Sequence, residues 1–370
     1  RARALCPHAA FVPGSHGLYR RYSQEVMGIL ATITPALEQV SIDEAFLDVS
    51  GARRRLGSPL EIATLIRTRI RDSVGLPASV GIASTKSVAK IASSHAKPDG
   101  LLLIPHEATV GFLHGLPVGA LWGVGGRTGA VLDREGIDTI GDLAHAPLAR
   151  LTKLLGVTSA HHLHDLAWGI DPRPVAPARA EKSVGMERTF EEDVRSRAQI
   201  EEFILAASHD CARRLRAGGV VGWTIGIKMR GADFHTITRS VSLVAPTDTG
   251  RDIARAAREL FAREDMPIGG VRLFGVRVEG LQARSGGVAV TLDRDERPAA
   301  SERAMDQIRT KFGAGALAPA TLLGKKTPER RSFGADDRQA SSAEVSSDRR
   351  SPGTDGPGVG GGEPQQGTLL

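Results

Sequence analysis

The chain reads as a multidomain α+β protein, and three observations predict it. Its 370 residues exceed what one ordinary core organises, so two or three domains are expected. Its first hundred residues follow the order helix, hairpin, helix, strand, helix, strand, which is the pattern of helices packed on a mainly antiparallel sheet. A helical segment and a second strand-and-helix region come next, and the proline-rich stretch 171–177 separates them.

Each element has its own warrant. Leu18, Tyr22, Val26, Ile29, Leu30 and Leu37 recur at near-helical spacing, which predicts a helix over 18–38 ended by Pro35. Residues 40–42 and 45–49 are apolar and β-branched, and predict a hairpin with Asp43 and Glu44 at its tip. Residues 59–74 predict an amphipathic helix with Leu60, Ala63, Ile66 and Ile70 inward and arginines outward. Short strands are expected at 78–83 and 100–104, with a helix over 87–96 between them. From 106 to 171 the pattern is helical, broken by glycines at 123–126 and 136. Further on, 223–229, 235–243 and 271–278 alternate as strands, and 200–215 and 251–261 read as helices. Beyond about Gly324 the chain is rich in Gly, Ser, Arg, Asp and Pro, with too few aliphatics to offset chain entropy. Disorder is expected there, up to an apolar end at 366–370.

Composition narrows the function classes. Cys6 and Cys211 are the only cysteines, which argues against a disulfide framework or a cysteine-based zinc site and fits a reducing cytosol. No apolar run approaches the ~18 residues of a membrane span, and no signal-peptide pattern opens the chain. The net charge is +6, concentrated in the first hundred residues, and such a balance hints at an anionic partner such as nucleic acid.

Two segments carry chemistry. On a regular strand Asp43 and Glu44 would point to opposite faces, whereas at a hairpin tip both reach one site. Carboxylate oxygens suit hard cations such as Mg²⁺, and a pair so placed can hold metal for phosphoryl transfer. A solvated acidic turn is the bland alternative. In 79–100 a strand leads through a small-residue turn into a helix carrying Lys86 and Lys90, and Lys97 sits at the turn into the next strand. Lysines and a helix start can receive phosphates, or form a solvated basic face.

The segment Ser-Ile-Asp-Glu-Ala-Phe-Leu-Asp-Val-Ser at 41–50, followed by Ser-Val-Gly-Ile-Ala, Ala-Lys-Ile-Ala-Ser and Ala-Lys-Pro-Asp-Gly, resembles the Y-family DNA polymerases, closest to their DNA polymerase IV branch. The likeness runs from about residue 1 to about 323, with several motifs in the family's order. It implies translesion DNA synthesis, without proofreading since no exonuclease-like region is present. Asp43 and Glu44 match the carboxylates that bind two catalytic Mg²⁺ ions, and Lys97 matches the lysine on the incoming deoxynucleotide's triphosphate. Residues 116–143 resemble a helix-hairpin-helix, in which Gly123, Gly125, Gly126, Arg127 and Thr128 would approach the backbone of primer-template DNA. The family's usual Pro-Lys is Gly126-Arg127 here. Residues 182–190 resemble the start of the little finger, whose strands would present Arg239 to phosphates. Gln366, Leu369 and Leu370 resemble the short peptide that docks on the sliding clamp. Implied too are a monomer and a cytoplasmic location.

The resemblance divides the chain into a remnant of the fingers (1–15), palm (16–105), thumb (106–171), linker (172–181), little finger (182–282), C-terminal extension (283–323) and disordered tail (324–370). A complete family member opens with a strand bearing another metal-binding aspartate and with most of the fingers, and neither is present. The expectation is an N-terminally truncated polymerase, inactive as it stands. Its rival is a non-catalytic DNA- and clamp-binding protein that has lost the first metal-binding aspartate. His161, His162 and His164 lack a carboxylate or cysteine partner at ligand spacing and read as a helix surface.

Overall fold

The computed structural model describes residues 2–176, 181–286, 297–313, 316–317, 320 and 368–369. They form two compact units, one holding residues 2–176 with 368–369 and the other starting at 181.

The first unit opens with α1 (Ala2–Leu5) and α2 (His16–Ala31), then the hairpin β1 (Leu37–Gln39) and β2 (Ala45–Asp48). A short α3 (Arg53–Leu56) leads to α4 (Pro59–Val74), β3 (Val80–Ala83), α5 (Lys86–His95) and β4 (Leu101–Leu103). Local chemistry accounts for α4. Ser58 and Glu61 form a reciprocal capping box, Pro59 occupies the first turn, and Gly75 ends the helix in a left-handed conformation. Its Ile62, Ala63, Ile66 and Ile70 are buried against Leu30, Ile33, Val80 and Ile82. Leu60, expected inward, is exposed, because it lies in the first turn on the face opposite Ile62 and Ile66.

Two other expectations shift. α2 ends at Ala31, before Pro35, and Leu37 begins a strand. The hairpin's first strand is Leu37–Gln39, not 40–42. Val40 and Ile42 lie exposed in the connecting loop, where the N–H groups of Val40 and Ser41 both donate to the Glu44 carbonyl. Apolar composition suggested a strand there, but the turn's hydrogen bonds claim those donors.

The sheet order is β1-β2-β9-β3-β4, where β9 is Thr368–Leu369. β9 pairs antiparallel with both β2 and β3, aligning Leu47, Leu369 and Ile82, and β4 runs parallel to β3 with Leu103 beside Ile82. Thr368 and Leu369 belong to the apolar end that follows the segment expected to be disordered, and they add a strand to the sheet. The facing edges of β2 and β3 carry backbone donors and acceptors that an extended segment satisfies. The rest of 324–370, with Gln366 and Leu370, lies outside the described residues.

Helices α6 (Thr109–His114), α7 (Gly126–Asp133), α8 (Ile140–His145), α9 (Leu148–Leu155) and α10 (Val157–Ala167) complete this unit. Leu113, Leu132, Leu143, Leu151 and Leu163 pack with Val88, Ile91 and Ala92 of α5 in one core. α5 is therefore covered on one side by the sheet and on the other by this bundle.

The second unit is a four-stranded antiparallel sheet of order β5-β8-β6-β7, with β5 (Ser183–Val194), β6 (Val220–Gly231), β7 (Thr236–Thr247) and β8 (Val271–Ala283). Helices α11 (Arg197–Ala217) and α12 (Gly250–Ala262) bury Ile204, Ala207, Cys211, Ile253 and Phe261 against Ile225, Phe274 and Val276. Thr238 to Ser242 of the edge strand β7 are exposed. α13 (Arg297–Phe312), which the periodicity did not reveal, docks through charge. Glu302 accepts from the N–H groups of Gly250 and Arg251 at the start of α12, and Arg216 bridges Glu302 and Asp306.

Candidate active site

The topology places the sequence-predicted groups along one edge of the first sheet. Because β2 and β3 are both antiparallel to β9, they are parallel to each other, as β3 is to β4. The loops that enter β2, β3 and β4 therefore share an edge. Asp43 and Glu44 precede β2, Ala78 precedes β3, and residues 97–100 precede β4. Three strand spacings separate the acidic tip from the Lys97 turn, about 14 Å at ~4.8 Å each.

The acidic tip is exposed and locally braced. Ser41 Oγ donates to Asp43 Oδ1 at 2.6 Å and accepts the Asp43 N–H at 3.3 Å, and Gln39 donates to the Ser41 carbonyl at 2.9 Å. Glu44 Oε2 accepts from Lys90 Nζ at 2.8 Å. One turn earlier on α5, Lys86 pairs with Glu38 of β1 at 2.6 Å. Lys86 is only 2 % exposed, with its ammonium 4.9 Å from the Phe46 ring centre. The two lysines thus latch α5 to both arms of the hairpin. Neither stands as a free phosphate ligand, which settles that alternative for Lys86 in favour of structure.

Residues 171–176, read as a linker, hold the start of α5. Asp171 accepts the Ser87 N–H at 3.1 Å, supplying the cap that Thr85 does not, and Arg173 pairs with it at 2.6 Å. Burial raises the Asp171 carboxyl's pKa, but Arg173 and the two backbone donors outweigh it and hold the group below the usual range. The Pro174 carbonyl accepts from Lys86, and Glu38 accepts the Ala176 N–H. Arg173 lies 4.7 Å and Lys90 5.6 Å from the centre of the Trp122 ring, so two cations meet this ring beside Glu44. Glu38, Trp122, Asp171 and Arg173 escaped the sequence reading. Glu38 pairs with Lys86 and Asp171 caps Ser87 across 48 and 84 residues, separations at which the sequence gives no local signal.

Gly123 has φ 109°, a conformation that favours glycine, and Gly125 caps α7, with Gly126, Arg127 and Thr128 in its first turn. A Cβ at Gly125 or Gly126 would meet nothing within 4 Å, so this helix start is open. Lys97 is exposed. Arg239, in the other unit, is half-exposed and gripped by Glu264 through two hydrogen bonds of 2.8 and 3.0 Å. Among the described residues, no group of three or more His, Cys, Asp or Glu could hold a metal ion. Asp43 and Glu44 offer hard oxygen donors, and Glu44 Oε1 takes no hydrogen bond among the described residues. That pair fits a divalent cation that keeps several waters and binds substrate phosphates as well.

Such an edge is equipped to handle a polyphosphate together with a divalent cation. Comparison with known proteins supplies the class. Residues 1–94 match the impB/mucB/samB family and residues 181–292 its C-terminal domain. The DNA polymerase IV of Moorella thermoacetica is 40 % identical over 324 residues, 87 % of this chain and 81 % of the relative. That of Streptomyces coelicolor is 44 % identical over 283 residues, 76 % of this chain and 59 % of the relative. Among solved structures, a Y-family DNA polymerase chimera of Dbh and Dpo4 superposes with a TM-score of 0.67 at 24 % identity, covering 76 % of this chain and 81 % of that one. The chain belongs to the Y-family DNA polymerases, in the DNA polymerase IV branch. Dependence on a divalent metal follows from that membership. No described helix is long and apolar enough to cross a membrane.

Proposed function

We propose that the polymerase to which this chain belongs carries out template-directed addition of deoxynucleotides to a primer, including past damaged template bases, with Asp43 and Glu44 as carboxylates of its catalytic centre. The observation that carries the reading is the placement of these two residues at an exposed hairpin tip, on the same sheet edge as Lys97. Two Mg²⁺ ions, held in part by Asp43 and Glu44, would supply Lewis-acid stabilisation of the attacking and departing oxygens.

The chain's own residues do the rest. Ser41 orients Asp43, while Lys90 occupies one oxygen of Glu44 and leaves the other available. Lys97 meets the triphosphate as a point charge. Gly123, Gly125 and the start of α7 approach the duplex backbone, with Arg127 and Thr128 adding contacts to phosphates, so binding is independent of sequence. Arg239 turns to phosphate when Glu264 releases it. Gln366, Leu369 and Leu370 dock on the sliding clamp, for which the β9 pairing has to open. The chain works as a monomer in the cytoplasm.

The test is single replacement of Asp43 or Glu44 by Ala. Primer extension in Mg²⁺ should fall by roughly 10³-fold or more, because a lost ligand removes charge stabilisation needed mainly in the transition state, while primer-template affinity stays within about twofold. Extension at the parent rate by either variant would remove that residue from the centre.

A further inference from the structure

Lys97 stands on a five-residue turn between α5 and β4, and that turn is braced by paired charges. Asp99 lies at φ 43°, a left-handed conformation uncommon for any residue but glycine and best tolerated by Asp and Asn. Arg67 of α4 holds it there. Its Nη2 donates to the Asp99 carbonyl at 2.6 Å and to Oδ1 at 3.0 Å, while its Nε donates to the Ala78 carbonyl at 2.9 Å. Arg71, one turn further along α4, pairs with the other carboxylate oxygen. The Arg67 hydrogen bond, helped by the charge of both guanidiniums, holds the Asp99 carboxyl below the usual range. The next residue has no room for a side chain, since a Cβ at Gly100 would collide with the Ala96 carbonyl. One helix face therefore ties together the entrances of β3 and β4.

A lysine ammonium on a flexible stem reaches where its Cα is placed, and Lys97 is two residues from this clamp. We propose that Asp99, with Arg67 and Arg71, is a positioning residue for Lys97, fixing the 97–100 turn so that the ammonium meets the phosphates of the incoming nucleotide. The inference rests on the Lys97 reading above and adds to it a direction that simple electrostatics would not give. Removing the Asp99 carboxylate raises the local positive charge by one and frees two guanidiniums, which by charge alone favours an anion. Positioning demands the opposite, weaker nucleotide binding.

The experiment is equilibrium binding of the correct deoxynucleoside triphosphate to the full chain on primer-template DNA in Ca²⁺, which supports binding without turnover. Lys97→Ala should weaken binding about tenfold, Asp99→Ala about three- to tenfold, and the double variant no more than Lys97→Ala alone, since the two act through one group. Asp99→Asn, which tolerates the same backbone and keeps an acceptor for Arg67, should bind within about twofold of the parent. DNA affinity should be unchanged. An Asp99→Ala variant that binds nucleotide as well as or better than the parent overturns the inference. So does a penalty that persists in full beside Lys97→Ala, which marks a merely structural role. If Asp99→Ala fails to fold, Arg71→Ala decides, a loss of two- to threefold supporting the clamp and no change overturning it. A parent chain that binds no nucleotide, or a Lys97→Ala variant that binds like the parent, removes the Lys97 reading and this inference with it.

Discussion

Each unit is held internally by cation–carboxylate pairs, yet the pairs differ in kind. In the first unit Lys90 and Glu44 meet at 2.8 Å with side chains 24 % and 34 % exposed, next to an open loop. In the second, Arg216 meets Glu302 and Asp306 at 2.6 Å each, with Arg216 8 % and Glu302 6 % exposed. Glu302 also caps the start of α12, and Arg216 donates to the Asp248 carbonyl, so both Glu302 oxygens and the Arg216 guanidinium are engaged. Water screens the first pair, and exchanging one partner for a metal ion costs little. The second pair has given up its water and holds only while both partners stay. Exposure decides which ion pair can serve chemistry and which serves the fold.

The largest effect expected from that contrast is on stability. Arg216→Ala should cost the second unit roughly 3–5 kcal/mol, because it strands the buried Glu302 carboxylate, whereas Lys90→Ala should cost the first unit no more than about 1 kcal/mol. Denaturant titration resolves the two, with Trp223 reporting one unit and Trp122 and Trp168 the other. Comparable losses in both would mean that exposure does not separate these pairs.

The same contrast marks what could be read from the sequence. α4 was legible nearly to its ends because capping box, proline, terminal glycine and apolar stripe all agree. α11 and α12 were legible for the same reason, through their buried stripes. α13 was not, since its docking runs through Glu302 and Asp306 rather than an apolar stripe, and charge has no period. At the site, Asp43, Glu44 and Lys97 stood out through their motifs. For Lys86 and Lys90 the sequence left phosphate binding and a basic helix face as alternatives, because their partners lie 48 and 46 residues away and nothing local announces a pair. Asp171 capping a helix 84 residues upstream was beyond reach for the same reason.

A second prediction concerns β9, which links the hairpin arm carrying the acidic tip to β3. Deleting 366–370 removes the backbone pairing of Leu369 and Thr368 with both neighbours. At ~1 kcal/mol net for each hydrogen bond, the first unit should lose on the order of 2 kcal/mol, and amide exchange in β2 and β3 should accelerate. A clamp that captures the same peptide should accelerate exchange in those strands too. Unchanged protection on deletion would show that β9 contributes nothing to the sheet, and would leave the tail free for docking at all times.

The smallest effect is a pH slope confined to the second unit, and it follows from His209. Burial pushes the His209 imidazole below its ordinary value of 6.5, with Arg309 and Arg216 acting the same way and the carboxylates of Glu302 and Asp306 opposing. Glu302 Oε1 lies 3.9 Å from its Nδ1. A group whose pKa is lower in the folded than in the unfolded chain binds fewer protons when folded. Its contribution is therefore complete above about pH 6.5 and is lost as pH falls through the folded value. The second unit should unfold more readily at pH 5 than at pH 7.5, and His209→Gln should flatten that difference while leaving the first unit's pH profile alone. The measurement is denaturant midpoint against pH, followed through Trp223. A parent slope of opposite sign would mean that the Glu302 and Asp306 carboxylates outweigh burial and that His209 is charged in the fold, making it a member of the Arg216 network and no longer a neutral bystander to it.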